Sequence, residues 1–287
     1  MNINISTKLV GLLGYPLAQS LSPLMHNTAF DEYELNNIYL PIEVQPENLK
    51  TVVEGMKKMN FTGFNVTIPH KLEIMKHLDE IDEYARAIGA VNTVTINNGA
   101  MKGYNTDGVG FLRSFEEGTG EKIENKNVFI VGAGGAARAI AFTLAMNKAK
   151  KIYLCNRTVE KSESLCSDIN KIFPDSSEAV QMAADNMNKA LSSSHVLINC
   201  TSVGMYPNTE HSPIDKQLLF KDLTVCDVIY NPMKTKLLRE AEEVGCKTVV
   251  GLPMFVYQGV EAFELWTGMK APVKTMFRVV EEGLKNH

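Results

Sequence analysis

Short apolar runs with polar residues set between them recur along the chain, and most are followed by a stretch whose apolar residues return every three or four positions. Alternation over four to eight residues is the pattern of a half-buried strand, and the longer spacing is that of a helix with one buried face. In the first part the pattern predicts strands over Lys8–Gly14, Asn37–Glu43, Phe61–Thr67 and Val91–Ile96, with helices after Pro23, Pro46, Pro69 and Asp107. Proline suits a first helical turn, because the amide hydrogen it lacks has no helical partner there. A second series starts near Asn127: strand 127–131, helix 135–148, strand 151–155, helix 158–172, strands 195–199 and 224–229, and helix 234–244. Near the end, Val273, Met276, Phe277, Val280 and Leu284 fall on one helical face. Strands alternating with helices predict an α/β fold with parallel sheets.

Length and composition narrow this picture. A chain of 287 residues is long for one domain and fits two. The change of pattern near residue 107 sets the expected boundary. Lys and Arg number 29 against 33 Asp and Glu, a net charge of -4, and no basic run gathers the face that nucleic acid requires. Five cysteines, odd in number and nowhere spaced as C-x-x-C, read as reduced thiols of a cytoplasmic protein. The nearest approach to a membrane span, residues 128–146, has Arg138 near its centre and a glycine-rich turn through it, so strand, turn and helix explain it better. His70 and His77 stand seven apart with no carboxylate pattern around them, and no metal site is expected.

The clearest chemistry lies in "NVFIVGAGGAARAIAF": a strand, then Gly132, Ala133, Gly134, Gly135 and Ala136, then a helix. Glycine allows the tight turn and the close approach of a diphosphate, and the helix N-terminus stabilises its negative charge. An NAD site commonly places an acid at the end of the next strand. Here that strand ends in Asn156, Arg157 and Thr158, with Lys161 one turn on, so NADP is the expected cofactor: the two cations suit a 2′-phosphate.

Other segments hold polar residues at points where helices are expected to start. Ser20 and Ser22 precede Pro23, and Ser22 is a candidate N-cap; paired hydroxyls there also suit a small carboxylate. Asn65 and Thr67 alternate with apolar residues, Asn92 lies in "AVNTVTI", and Asn105, Thr106 and Asp107 precede a helix carrying Val109, Phe111, Leu112 and Phe115 on one face. Gln258 sits in "GLPMFVYQG". Lys71 is expected in the first turn of the helix after Pro69, where the aligned peptide dipoles disfavour an ammonium.

Together these segments resemble the shikimate/quinate dehydrogenase family. The matching motifs are S-L-S-P (20–23), N-V-T-I-P-H-K (65–71), A-V-N-T (90–93), N-T-D-G-V-G (105–110), G-A-G-G-A (132–136), N-R-T (156–158), N-C-T-S-V-G-M (199–205), D-V-I-Y-N-P (227–232) and G-L-P-M with Gln258 (251–258). The resemblance implies an N-terminal α/β substrate domain over 1–107, a Rossmann-like NADP domain over 108–245, and a helical segment, 246–287, returning to the first. It implies NADPH-dependent reduction of 3-dehydroshikimate to shikimate by a cytoplasmic monomer or homodimer with no membrane partner. Carried over by motif, Ser20 and Ser22 hold the substrate carboxylate. Thr67, Asn92, Asp107 and Gln258 bind its hydroxyls and carbonyl, with Asn65 and Tyr230 close by. Gly132 to Ala136, Asn156 to Lys161, Val228 and Gly251 line the cofactor site. Lys71 is the acid/base and Asp107 its charge partner, which favours the ammonium against the helix field. A quinate/shikimate enzyme with relaxed substrate or NAD use, and a nucleotide sensor without chemistry, are the alternatives.

Overall fold

The structure, a computed structural model, describes residues 3–17 and 20–285. The chain forms two compact units, Met1–Thr106 with Val256–His287, and Asp107–Phe255. The first contains β1 (Lys8–Gly14), α1 (Ser22–Glu32), β2 (Asn37–Glu43), α2 (Leu49–Met56), β3 (Phe61–Val66), β4 (Glu80–Ile81), α3 (Glu83–Ile88), β5 (Thr93–Asn97) and β6 (Ala100–Tyr104). Its sheet runs β2-β1-β3-β5-β6-β4. The expected parallel arrangement holds across β2, β1 and β3, but β5 is antiparallel to both β3 and β6. The cause is local. Asn98 and Gly99 both take positive φ, 50° and 78°, forming a two-residue turn of the kind that joins only antiparallel neighbours.

Beneath one face of this sheet Leu49, Val53 and Met56 of α2 meet Phe64, Val66, Val94 and Met101 in a buried core. Alternation sends Gly63 and Asn65 of β3 to the opposite face. There Trp266 covers Gly63, its indole N–H donating to the Val94 carbonyl at 2.9 Å. Trp266 belongs to α9 (Gly251–Thr267), which with α10 (Val273–Lys285) supplies helices to this unit from the far end of the chain. Phe263 of α9 stacks on Phe30 of α1 at 5.5 Å between ring centres.

The helix expected after Pro69 is not formed. Residues 68–72 are a turn, followed by one 3₁₀ segment, Glu73–His77. The Lys71 carbonyl accepts from Val91 N at 2.8 Å, and the His70 ring nitrogen Nε2 donates to the Val44 carbonyl at 2.7 Å. Tertiary partners thus hold the groups around which an α-helix would have wound. Lys71 therefore has no α-helix dipole behind it, which corrects the field argument drawn from sequence.

The second unit holds α4 (Asp107–Thr119), β7 (Asn127–Val131), α5 (Gly135–Met146), β8 (Lys151–Cys155), α6 (Val159–Ile172), β9 (Ser177–Val180), α7 (Ala184–Ser192), β10 (Val196–Asn199), β11 (Thr224–Asp227), α8 (Lys236–Val244) and β12 (Lys247–Val249). Every pairing in its sheet is parallel, in the order β12-β11-β10-β7-β8-β9. This is the doubly wound order of dinucleotide folds, with its switch point between β7 and β10. Within the stretch expected as helical after residue 245, β12 adds a short strand first. In α4, Phe111 and Phe115 are buried as the pattern requires, whereas Val109 is exposed.

Candidate active site

In the first unit the expected substrate residues gather where β1 and β3 end and the turns after them begin. Ser22 opens α1 as its first helical residue; the N-cap position is Leu21, and no side chain caps the helix. The capping role expected of Ser22 is corrected accordingly. It is the Ser20 hydroxyl that accepts the Ser22 N–H, at 3.3 Å. The Ser22 hydroxyl turns inward and hydrogen-bonds the Tyr39 phenol, whose pKa burial pushes upward. From there the contacts run on without a break. Tyr39 donates to Asn65 Oδ1 at 2.8 Å, Asn65 Nδ2 donates to Thr93 Oγ1 at 2.9 Å, and Thr93 donates to Asn92 Oδ1 at 3.0 Å. Asn92 Nδ2 in turn donates to Thr106 Oγ1 at 2.9 Å.

All six of these residues are buried. Polar groups so deep are retained only with their hydrogen bonds made. The chain explains Asn65: its amide hydrogens go to Thr93 Oγ1 and, at 3.2 Å, to the Asn92 carbonyl, so it holds neighbours in place. Tyr39 and Thr93 were not singled out from sequence; the available signal was a polar residue on a strand face covered by helices. Thr67 follows β3, its N–H donating to the Leu13 carbonyl at 2.8 Å, and Lys71 is half-buried in the next turn. Because Lys71 is bonded to Val91 through its backbone, its position is fixed relative to Asn92, the next residue. Gln258, half-buried, lies on α9 as expected.

Two further expected substrate residues belong to the second unit. Asp107 is the first residue of α4 and is buried, while Tyr230 stacks on Phe255 at 4.3 Å between ring centres.

The dinucleotide residues surround the switch point. Gly132 has φ +114°, and a Cβ there would meet the Cys200 carbonyl oxygen at 3.0 Å, so only glycine fits between the ends of β7 and β10. Gly134 faces open space and caps α5 without any side-chain hydrogen bond. The first amides of a twelve-residue helix are thereby left to an external anion. Val228 N donates to the Asn199 carbonyl at 3.1 Å, and Gly251 packs against the backbone of Val228 and Ile229 so closely that any side chain would collide. Asn156 and Thr158 precede α6, and Arg157 and Lys161 are exposed at its start. No carboxylate stands at the end of β8. These residues fit a dinucleotide carrying a 2′-phosphate.

One residue entered the sequence reading only as the first letter of the D-V-I-Y-N-P motif, with no role given to it. Asp227, at the end of β11, is buried and accepts from Asn199 Nδ2, Ile229 N and Thr235 Oγ1, the last at 2.7 Å. Burial pushes its carboxyl up to about 6, against the pull of those three donors. The signal was present as an aspartate inside the apolar run "TVCDVI". All five cysteines are free, four buried and Cys200 half-buried. Among the described residues no cluster of His, Cys, Asp and Glu has metal-binding geometry.

Comparison with known proteins places names beside this geometry. The shikimate dehydrogenase substrate binding domain matches residues 12–94, the shikimate/quinate 5-dehydrogenase family residues 115–228, and the shikimate 5′-dehydrogenase C-terminal domain residues 251–281. The chain is similar to the shikimate dehydrogenase (NADP(+)) of Methanocaldococcus jannaschii, 49% identical over 276 residues that cover 96% of each chain. Among solved structures it is similar to a shikimate dehydrogenase in complex with NADP+, with a TM-score of 0.92 and 45% identity over 99% of this chain and 98% of that one. It is also similar to the shikimate 5-dehydrogenase of Listeria monocytogenes in complex with shikimate and NAD, with a TM-score of 0.90 and 38% identity over 98% of both.

Proposed function

The chain belongs to the shikimate dehydrogenase family, and from that premise we propose which of its residues perform the reaction. It is an NADP-dependent oxidoreductase that interconverts 3-dehydroshikimate and shikimate in aromatic amino-acid biosynthesis. Ser20 and Ser22 hold the carboxylate, and Thr67, Asn92, Asp107 and Gln258 bind the ring hydroxyls and the carbonyl, with Asn65 and Tyr230 completing the set. Gly132 to Ala136, with Arg157 and Lys161 at the 2′-phosphate and Val228 and Gly251 alongside, would hold NADPH, which would supply the hydride. As the ketone carbon is reduced, the Lys71 ammonium gives a proton to the oxygen, and Lys71 then regains one from water. Asp107 serves the same proton step.

The observation that carries this reading is the position of Lys71. It is the cation in the turn after β3, tied through Val91 to the buried hydrogen-bond chain that contains Ser22, Asn65 and Asn92. The enzyme acts in the cytoplasm on a small-molecule substrate, as a monomer or homodimer, without nucleic acid or membrane. A net charge of -4 with no basic run argues against a nucleic-acid partner, and no helix among the described residues is long and apolar enough to cross a membrane. The test is steady-state reduction of NADP at alkaline pH with shikimate, repeated with quinate and with NAD. Turnover is expected to be fastest with shikimate and NADP; equal turnover of quinate with NAD would contradict the assignment.

A further inference from the structure

We propose that Asp227 is the positioning residue of the dinucleotide site, a single buried carboxylate that holds the loops after β10 and β11 and the start of α8 in register with the glycine loop. The inference rests on the NADP-binding role stated above. Asp227 itself is buried. Its Oδ1 accepts from Ile229 N at 3.0 Å and Asn199 Nδ2 at 3.1 Å, and its Oδ2 accepts from Thr235 Oγ1 at 2.7 Å and, at 3.2 Å, from the same Asn199 amide. Every partner is a donor, so the constellation suits a carboxylate, which only accepts.

Two of the three ties lead onward to residues assigned to the cofactor, and the third to the start of α8. Asn199, oriented by Asp227, takes Thr201 N at 3.0 Å and Thr201 Oγ1 at 2.7 Å on its own Oδ1. Thr201 Oγ1 then accepts from Val203 N at 3.1 Å. This same loop supplies the Cys200 carbonyl and the Thr201 methyl that a Cβ on Gly132 would meet at 3.0 and 3.3 Å, so it forms the floor beneath the glycine turn. On the other side, Ile229 follows Val228 and lies against Gly251. Thr235 caps α8, accepting from Leu238 N at 3.4 Å while donating to Asp227. One carboxylate therefore fixes the floor of the glycine loop, the Val228 strip and the first turn of α8.

A structural role alone does not call for a carboxylate here. Burial disfavours the charge, and what pulls against that burial is the set of hydrogen bonds from Ile229, Thr235 and Asn199. What the charge supplies is orientation of three donors at once.

The experiment is Asp227→Asn, which keeps the shape but replaces one acceptor by a donor facing Thr235 or Ile229. The dissociation constants of NADP and of NAD are measured by fluorescence titration, beside the melting temperature at pH 8. Both constants are expected to rise about tenfold or more together, since the floor of the site and not the 2′-phosphate end is displaced, while the melting temperature holds or rises. Dissociation constants within twofold of wild type overturn the proposal, as does a rise confined to NADP. Should Asp227→Asn not fold, Thr201→Val removes the next tie without touching the carboxylate. A rise in both constants is then expected, and unchanged binding overturns the idea. Turnover of shikimate by the wild type is measured in the same series, so failure of the family assignment is seen separately from failure of the positioning role.

Discussion

His26 is fully buried on α1, stacked on Tyr39 at 4.6 Å and edge-on to Trp266 at 5.2 Å, with neither ring nitrogen hydrogen-bonded to any described residue. Burial lowers its pKa from 6.5 to about 3. Below pH 6.5 the unfolded chain takes a proton that the native ring refuses, so native stability is lost as the pH falls, by about 1.4 kcal/mol per unit down to about pH 3. Asp227 acts in the opposite sense. Its carboxyl is raised from 3.8 to about 6, so the native state binds a proton first and gains stability as the pH falls through that window. His26→Leu removes only the first effect. Its melting temperature relative to wild type should climb steadily between pH 6.5 and 4; a constant difference would show that the buried ring is protonated or otherwise satisfied. Arg157 is tested in binding. A charge-assisted hydrogen bond contributes about 1.5 to 3 kcal/mol, so Arg157→Ala should weaken NADP by roughly ten- to a hundredfold and leave NAD nearly unchanged. Equal losses would make the arginine a surface residue with no part in cofactor choice.

Elements with strong period and a clear stop were legible, and those decided by distant partners were not. β1, β2, β7 and β8 lie where alternation put them, and α10 buries Met276 and Val280 as its spacing required. The strand expected over 91–96 instead begins at Thr93 and turns at Asn98 and Gly99 into β6. That Asn-Gly pair was a turn signal in plain view, outweighed by the expectation of parallel strands. The missing helix after Pro69 is different in kind. Its backbone is held by Val91 and its neighbour His70 by Val44, partners that no local window contains. The cap at α1 failed for a similar reason, since the Ser22 hydroxyl is drawn inward by Tyr39 and Ser20 is left to meet the helix amide. The hairpin can be tested alone. Gly99 has φ +78° with open space where a Cβ would stand, so Gly99→Ala should cost only the backbone strain of a left-handed residue, about 1 to 2 kcal/mol. Thermal denaturation should register it while the KM for shikimate stays at the wild-type value; a changed KM would mean the turn reaches the substrate site.

At the scale of the whole molecule, the motifs gave the family and the order of the two units, because a glycine turn and an N-R-T segment carry their chemistry locally. The supports behind them could not be read this way. The path from Ser22 through Tyr39, Asn65, Thr93 and Asn92 to Thr106 joins residues from five separate stretches of sequence, and the ties of Asp227 join three. The residues proposed for substrate and those proposed for cofactor fall largely in different units, so the binding of each can be followed apart from the chemistry. That makes Lys71→Ala the most direct measurement of the central claim, that this turn after β3 carries the proton donor. Steady-state kinetics with shikimate and NADP should show kcat lowered by the 10²- to 10⁴-fold typical of a lost acid/base, about 3 to 5 kcal/mol of barrier, with the KM for shikimate changed less and the Kd for NADP unchanged. A Lys71→Ala enzyme that keeps most of its kcat but loses affinity for shikimate would contradict the account and reduce Lys71 to a binding group.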